Sequence, residues 1–93
     1  MTREIILSIL ESEGAEAKGS TLTLREEREV TAFVSAPGEV LNVARIVRVE
    51  LKDKFVILQT GKDERFVFAY DGVLGFKFAT TAAVKDRSAG FGR

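Results

Sequence analysis

The segment Asp53-Lys54-Phe55-Val56-Ile57-Leu58-Gln59-Thr60 decides the fold class of this chain. Aromatic, β-branched and leucine residues follow one another directly after two charged residues, and such residues favour strands. Asp is common in turns because its side chain bonds to the local backbone. The segment therefore predicts a short turn at 53–54 that leads into a strand over 55–60.

Outward from this strand, polar and apolar residues alternate with a period of two, which indicates half-buried strands. The stretch 40–52 reads as one long strand that bends around a small barrel. Asp71-Gly72 is the clearest turn signal in the chain, because an Asp-Gly pair suits a type I′ hairpin. The pattern predicts strands at Thr21–Arg25, Val30–Ser35, Val40–Lys52, Arg65–Tyr70 and Val73–Ala79.

The N-terminal segment has a helical period instead. Ile6, Ile9 and Leu10 share one helical face. Thr2 is a suitable N-cap, and Gly14 is a suitable stop. We expect an amphipathic helix over 3–13 that packs on the open end of the barrel, and a plain connector over 14–19.

These elements predict a mainly β fold with an N-terminal helix, built as a small, strongly bent antiparallel barrel. Residues 1–79 form the single domain. Residues 80–93 have no apolar periodicity and are expected to be a flexible C-terminal tail.

Composition narrows the chemistry. The chain has 93 residues, no Cys, no His and a formal net charge of zero. Without these two residue types it lacks the commonest acid–base group and the soft metal ligands, so we expect no enzyme activity, no metal and no cofactor. No apolar run reaches the roughly 20 residues needed to span a bilayer, so we expect a cytoplasmic location and no membrane partner.

The segment Asp53-Lys54-Phe55-Val56-Ile57-Leu58 resembles the Asp-Gln-Phe-Val-Ile-Leu segment of the bacterial Sm-like, or Hfq-like, RNA-binding family. The strand 66–70 lies where that family has its Val-Tyr-Lys-His strand. The resemblance implies an Sm-like or SH3-like barrel that assembles into a homo-oligomeric ring and binds single-stranded RNA. It implies that Lys54, Phe55 and Tyr70 contact the RNA. Ala69 and Tyr70 stand in place of the family's Lys and His, which weakens the expectation of uridine-type recognition.

An assembly interface is also expected on physical grounds. Strands 65–70 and 73–79 are rich in aromatic residues and have few charged residues that would discourage edge pairing. Such strands favour pairing with another chain when their edges are left unpaired. The predicted interface residues are Phe66, Val67, Phe68, Phe76 and Phe78. The Phe rings at 66, 68, 76 and 78 could offer stacking platforms for bases, but a small domain without Trp is expected to use them in its core. The alternative function is a non-enzymatic protein-interaction or structural module on an SH3-like or pleckstrin-homology-like barrel.

Overall fold

A computed structural model describes residues 1–80. Eight strands form two antiparallel sheets, with the strand orders β1-β2-β5-β6-β7 and β4-β3-β8. The elements are α1 (Arg3–Ser12), β1 (Glu16–Lys18), β2 (Thr21–Thr23), β3 (Arg28–Ala36), β4 (Glu39–Val43), β5 (Ile46–Leu51), β6 (Phe55–Thr60), β7 (Arg65–Ala69), a 3-10 helix (Tyr70–Gly72) and β8 (Val73–Thr80).

The predicted fold class is confirmed in its broad form, as a mainly β protein with one N-terminal helix. Residues 1–80 form two sheets and no closed barrel, so the barrel stays a prediction. Of the predicted tail, Thr80 is the last residue of β8, and 81–93 lie outside the described residues. Within residues 1–80, no helix has the length and apolar character to cross a membrane.

The predicted helix is confirmed. The Thr2 hydroxyl accepts the Ile5 N–H at 3.2 Å, which satisfies one of the free donors of the first turn. Ile6 and Leu10 are fully buried, and Ile9 is half-buried. Gly14 follows the helix with a φ of 91°, a conformation that glycine adopts without strain. The helix therefore covers the core with the face that the sequence predicts.

The core lies between the two sheets and α1. Every strand except β1 and β7 contributes at least one buried residue, and along β3 the buried residues alternate as the period of two requires. Val30, Ala32 and Val34 of β3 are buried, as are Val56 and Leu58 of β6. Because both sheets supply side chains to one cluster, they form a single packed unit.

The predicted strand 40–52 is in fact two strands. β4 ends at Val43 and β5 begins at Ile46, with Ala44 and Arg45 between them. Arg45 has a φ of 59°, and its carbonyl accepts the Gly61 N–H at 3.0 Å. This turn carries the chain from the three-stranded sheet to the five-stranded sheet. The prediction missed it because neither Ala nor Arg is a turn residue, and a contact with a distant loop holds the bend.

The predicted hairpin at Asp71-Gly72 is wrong. The two residues belong to the 3-10 helix, and the strands on either side lie in different sheets. β8 pairs with β3, where Phe76 lies opposite Ala32 and Phe78 lies opposite Val30. Burial of apolar residues along β3 therefore outweighs the local preference of an Asp-Gly pair for a tight turn.

The predicted connector 14–19 contains a short strand. β1 pairs with β2 in antiparallel register, from Glu16 opposite Thr23 to Lys18 opposite Thr21. All three β1 residues are exposed. Because none of them is buried, β1 has no alternating pattern that could reveal it in the sequence.

Candidate functional site

The three residues predicted to contact RNA lie together. Phe55 opens β6 and lies opposite Ala69, the last residue of β7, so Lys54 and Tyr70 flank the same end of this strand pair. We call Lys54, Phe55 and Tyr70 the aromatic corner. The Phe55 side chain is 40% exposed, and Lys54 is exposed beside it. The corner thus presents an open ring next to a cation.

Tyr70 is fixed by hydrogen bonds. Its hydroxyl donates to the Lys52 carbonyl, and its own carbonyl accepts from the Met1 ammonium group at 2.8 Å. Burial is the main cause that raises the pKa of Tyr70 above its ordinary value. Tyr70 therefore stays a neutral hydrogen-bond donor at physiological pH, and it anchors the start of the 3-10 helix.

The charges at the corner are mixed. Lys52 forms an ion pair with Glu50 at 3.6 Å. Among residues 1–80, Lys54 forms no ion pair, and the exposed Asp53 is its neighbour in the chain. The corner can therefore offer one free cation beside an aromatic face, which suits one nucleotide better than a long phosphate backbone.

The predicted interface residues lie on two sheet edges. β7 is the last strand of the five-stranded sheet, and β8 is the last strand of the three-stranded sheet. Phe66 and Phe68 stack with their centroids 6.5 Å apart and their planes 8° apart. Phe76 and Phe78 form a second ring pair, with centroids 6.2 Å apart. Each edge thus carries two neighbouring rings.

The Phe rings of these edges face the core but do not fill it. Phe66 lies opposite the buried Leu58 in the register, so its ring is on the core side of the sheet. It is nevertheless 37% exposed. Phe68, Phe76 and Phe78 are half-buried against the core cluster. The interpretation of these rings as core is therefore only partly right, because an edge strand leaves one side of each ring uncovered.

A further cavity lies at the bend between β4 and β5, and no sequence pattern predicts it. We call it the bend groove. Its volume is about 380 Å³, and it is lined by Asn42, Val43, Ala44, Arg45, Thr60, Lys62, Glu64 and Phe66. These residues come from two separate segments, which explains why no linear motif marks them. Pockets that bind small molecules commonly measure roughly 300–1,000 Å³.

The loop beside the bend groove is held by Thr60. Its side chain is buried, and its hydroxyl accepts the N–H groups of Lys62 and Glu64, each at 3.3 Å. The Thr60 N–H donates to the Glu64 carbonyl at 2.9 Å. Asp63 at the tip has a φ of 66°, an uncommon conformation for a residue other than glycine. These bonds fix the groove wall in one conformation.

Across residues 1–80, no group of three or more acidic residues could hold a metal ion. No protein-family model matches the chain, and neither curated proteins nor solved structures give a significant match.

Proposed function

We propose that this protein is a self-assembling, Sm-like small β-domain that binds single-stranded RNA at its aromatic corner. The observation that carries the proposal is the pair of sheet edges, β7 and β8, each with two neighbouring Phe rings that are only partly covered. An exposed strand edge of this kind templates pairing with a second chain.

Pairing between these two edges would build a closed ring. β7 of one copy pairs with β8 of the next, so the contact is heterologous and each copy uses both edges. Such pairing extends one continuous sheet around the assembly. A short chain also gains stability from the added burial, because it buries a smaller fraction of its surface alone than a larger domain does.

The chain order supports an Sm-like arrangement. From β3 onward each strand pairs with its predecessor through a short connection, except at the bend after β4 and at the 3-10 helix. β8 then returns to β3, the strand that began the series. The bend and the 3-10 helix both pass the chain between the sheets, which is the path that a small bent barrel requires.

The affinity of the corner for RNA is raised when a ring repeats the same site in every copy. One corner offers a single exposed ring and one free cation, which gives weak affinity alone. A ring of identical copies places several such sites side by side, and linked sites reach high avidity without new contacts. Base stacking on an aromatic side chain contributes roughly 1–3 kcal/mol for each base.

The RNA proposal is tested by fluorescence anisotropy with a short uridine-rich or adenine-rich RNA. Phe55→Leu keeps an apolar side chain but removes the stacking face, and Lys54→Gln removes the cation. We expect each change to weaken binding about tenfold, by the loss of one stacked base or one charged contact at each repeated site. Phe33→Leu, on β3 and outside the corner, is the matched control. RNA binding that is equally strong in all variants would refute the role of the corner.

The assembly is tested by amide hydrogen exchange of the wild-type chain beside Val67→Lys, which places a charge on the exposed side of β7. Edge N–H groups of β7 and β8 should exchange more slowly in the wild type, since a neighbour's carbonyls accept from them there. Exchange at β1, the opposite edge of the five-stranded sheet, should be the same in both chains. Equal exchange of the β7 edge in both chains would favour the alternative, a monomeric protein-interaction module.

A further inference from the structure

The bend groove has the composition of a small-ligand site rather than of a packing defect. Its two cations are exposed, and neither Arg45 nor Lys62 forms a side-chain ion pair or hydrogen bond within residues 1–80. Phe66 supplies an apolar wall with 37% of its side chain exposed. An aromatic face and two unpaired cations thus meet in one cavity.

The two cations are held near each other by the backbone. The Gly61 N–H donates to the Arg45 carbonyl at 3.0 Å, so Lys62 is only one residue away from the bend. Arg45 adopts a φ of 59°, which costs energy for a side chain larger than that of glycine or asparagine. A strained conformation that is kept in this way often belongs to a functional site.

The groove also contains a carboxylate, that of Glu64. The Thr60 hydroxyl donates to Glu64 Oε1 at 3.5 Å, a long contact that leaves acceptor capacity on both carboxylate oxygens. A carboxylate does not attract a phosphate, but it readily accepts hydrogen bonds from ribose hydroxyl groups, as in dinucleotide-binding proteins. The groove therefore offers separate partners for an anion, a sugar and a planar ring.

We propose that the bend groove binds a ribonucleoside monophosphate unit. Arg45 and Lys62 hold the phosphate, Glu64 accepts from the ribose hydroxyls, and the base stacks on Phe66. A phosphate monoester carries about −1.5 to −2 charge at neutral pH, which complements two cations more closely than the single charge of an internal phosphodiester does. The ligand is thus a free nucleotide or the 5′-phosphorylated end of an RNA strand.

This site is separate from the aromatic corner. The corner lies at the end of β7 next to Tyr70, whereas Phe66 is near the start of the same strand. The proposal uses the core-side ring of Phe66 and not the backbone edge of β7. It therefore holds whether or not the chain assembles, and whether or not the corner binds RNA.

The test is calorimetric titration of the whole chain with AMP, adenosine and inorganic phosphate. AMP should bind, and adenosine and phosphate should each bind at least tenfold more weakly. Arg45→Asn removes the cation but keeps a residue that tolerates the positive φ, and Lys62→Gln removes the second cation. We expect each variant to lose about tenfold or more in AMP affinity, the effect of one charge-assisted hydrogen bond. Lys18→Gln in β1 is the matched control and should bind AMP normally.

Two further comparisons complete the test. Glu64→Gln should reduce the preference for AMP over dAMP, because the carboxylate is the ribose acceptor. A trinucleotide with a 5′-phosphate should compete with AMP better than the 5′-hydroxyl form if the site takes strand ends, and neither should compete well if it takes free nucleotides. AMP affinity that is undetectable, or that survives both Arg45→Asn and Lys62→Gln in folded protein, would overturn the proposal. Neither outcome depends on Lys54 or Phe55, so failure here is distinct from failure of the corner.

Discussion

The two edges of the five-stranded sheet differ sharply. β1, at one edge, has three exposed residues, of which Glu16 and Lys18 are charged. β7, at the other edge, has five residues, and Phe66, Val67 and Phe68 follow one another at its centre. Short, charged strands blunt an edge against pairing, whereas longer apolar strands invite it. Within residues 1–80, β1 is therefore a blunted edge, which we call the closed edge, and β7 is an unpaired apolar edge, which we call the open edge.

The largest expected effect comes from a charge on the open edge. Val67 is 58% exposed, so Val67→Lys should leave the fold of one chain intact. In a ring, the new charge would appear at every β7–β8 contact and should dissociate the assembly into single chains. Light scattering of the variant measures this change directly. Ala17→Lys at the centre of β1 is the control and should keep the mass of the wild type.

Truncation of a Phe side chain on β7 tests how much the open edge contributes to the stability of a single chain. Phe68 packs against the core cluster although it is only half-buried. A Phe→Ala substitution at a fully buried position lowers the free energy of unfolding by about 3–5 kcal/mol. Because Phe68 is only half-buried, we expect Phe68→Ala to lower it by about 2 kcal/mol. Lys18→Ala on β1 should stay within about 0.5 kcal/mol of the wild type. Urea denaturation, done on the dissociated Val67→Lys background, compares the two; equal losses would contradict the difference between the edges.

Removing the charges from β1 should make the closed edge behave like the open one. We expect the double change Glu16→Val and Lys18→Val to give a sheet with two edges that pair. Its apparent mass should then grow with concentration beyond that of the wild type, because a second free edge permits open-ended association. A fixed mass over the same concentrations would show that the shortness of β1, and not its charge, keeps this edge free.

The smallest effect concerns the end of β7, where Tyr70 donates to the Lys52 carbonyl. Burial raises the pKa of Tyr70, so the folded state holds the phenol proton more tightly than the unfolded state does. The stability from this group is complete below the ordinary pKa of tyrosine, about 10, and is lost as the pH rises through the folded value. Above about pH 10, the free energy of unfolding of the wild type should therefore fall as the pH rises, and that of Tyr70→Phe should fall less.

The pKa itself is directly measurable, since the chain has one Tyr and no Trp. Absorbance at the tyrosinate band follows Tyr70 alone through an alkaline titration. A midpoint below the ordinary value would contradict both the burial and the hydrogen bond.

The sequence predicted those elements whose burial follows a simple period. Ile6 and Leu10 mark the helix at a spacing of four, and β6 and β7 appear as apolar runs between charged turns. It failed where distant contacts decide the local conformation. Arg45 bends the chain because Gly61 donates to its carbonyl, and the turn at Asp71-Gly72 opens because β8 pairs with β3.

The two candidate sites also differ in how far the sequence predicts them. The residues of the aromatic corner were predicted only through the resemblance of the chain to the Sm-like family, and the pairing of β6 with β7 brings them to one end of the strand pair. The bend groove could not be predicted, because it forms only when the break after Val43 meets the loop that begins after Thr60. A single strand over 40–52 would have no such bend and therefore no cavity.

We propose that β7 and β8 of neighbouring copies pair with each other and close a ring. The most direct test is the mass of the wild-type chain in solution, measured by light scattering at tens of micromolar and again after tenfold dilution. We expect one species whose mass is a whole multiple of 10.2 kDa, greater than one, and unchanged on dilution. A mass of 10.2 kDa at the higher concentration would contradict it.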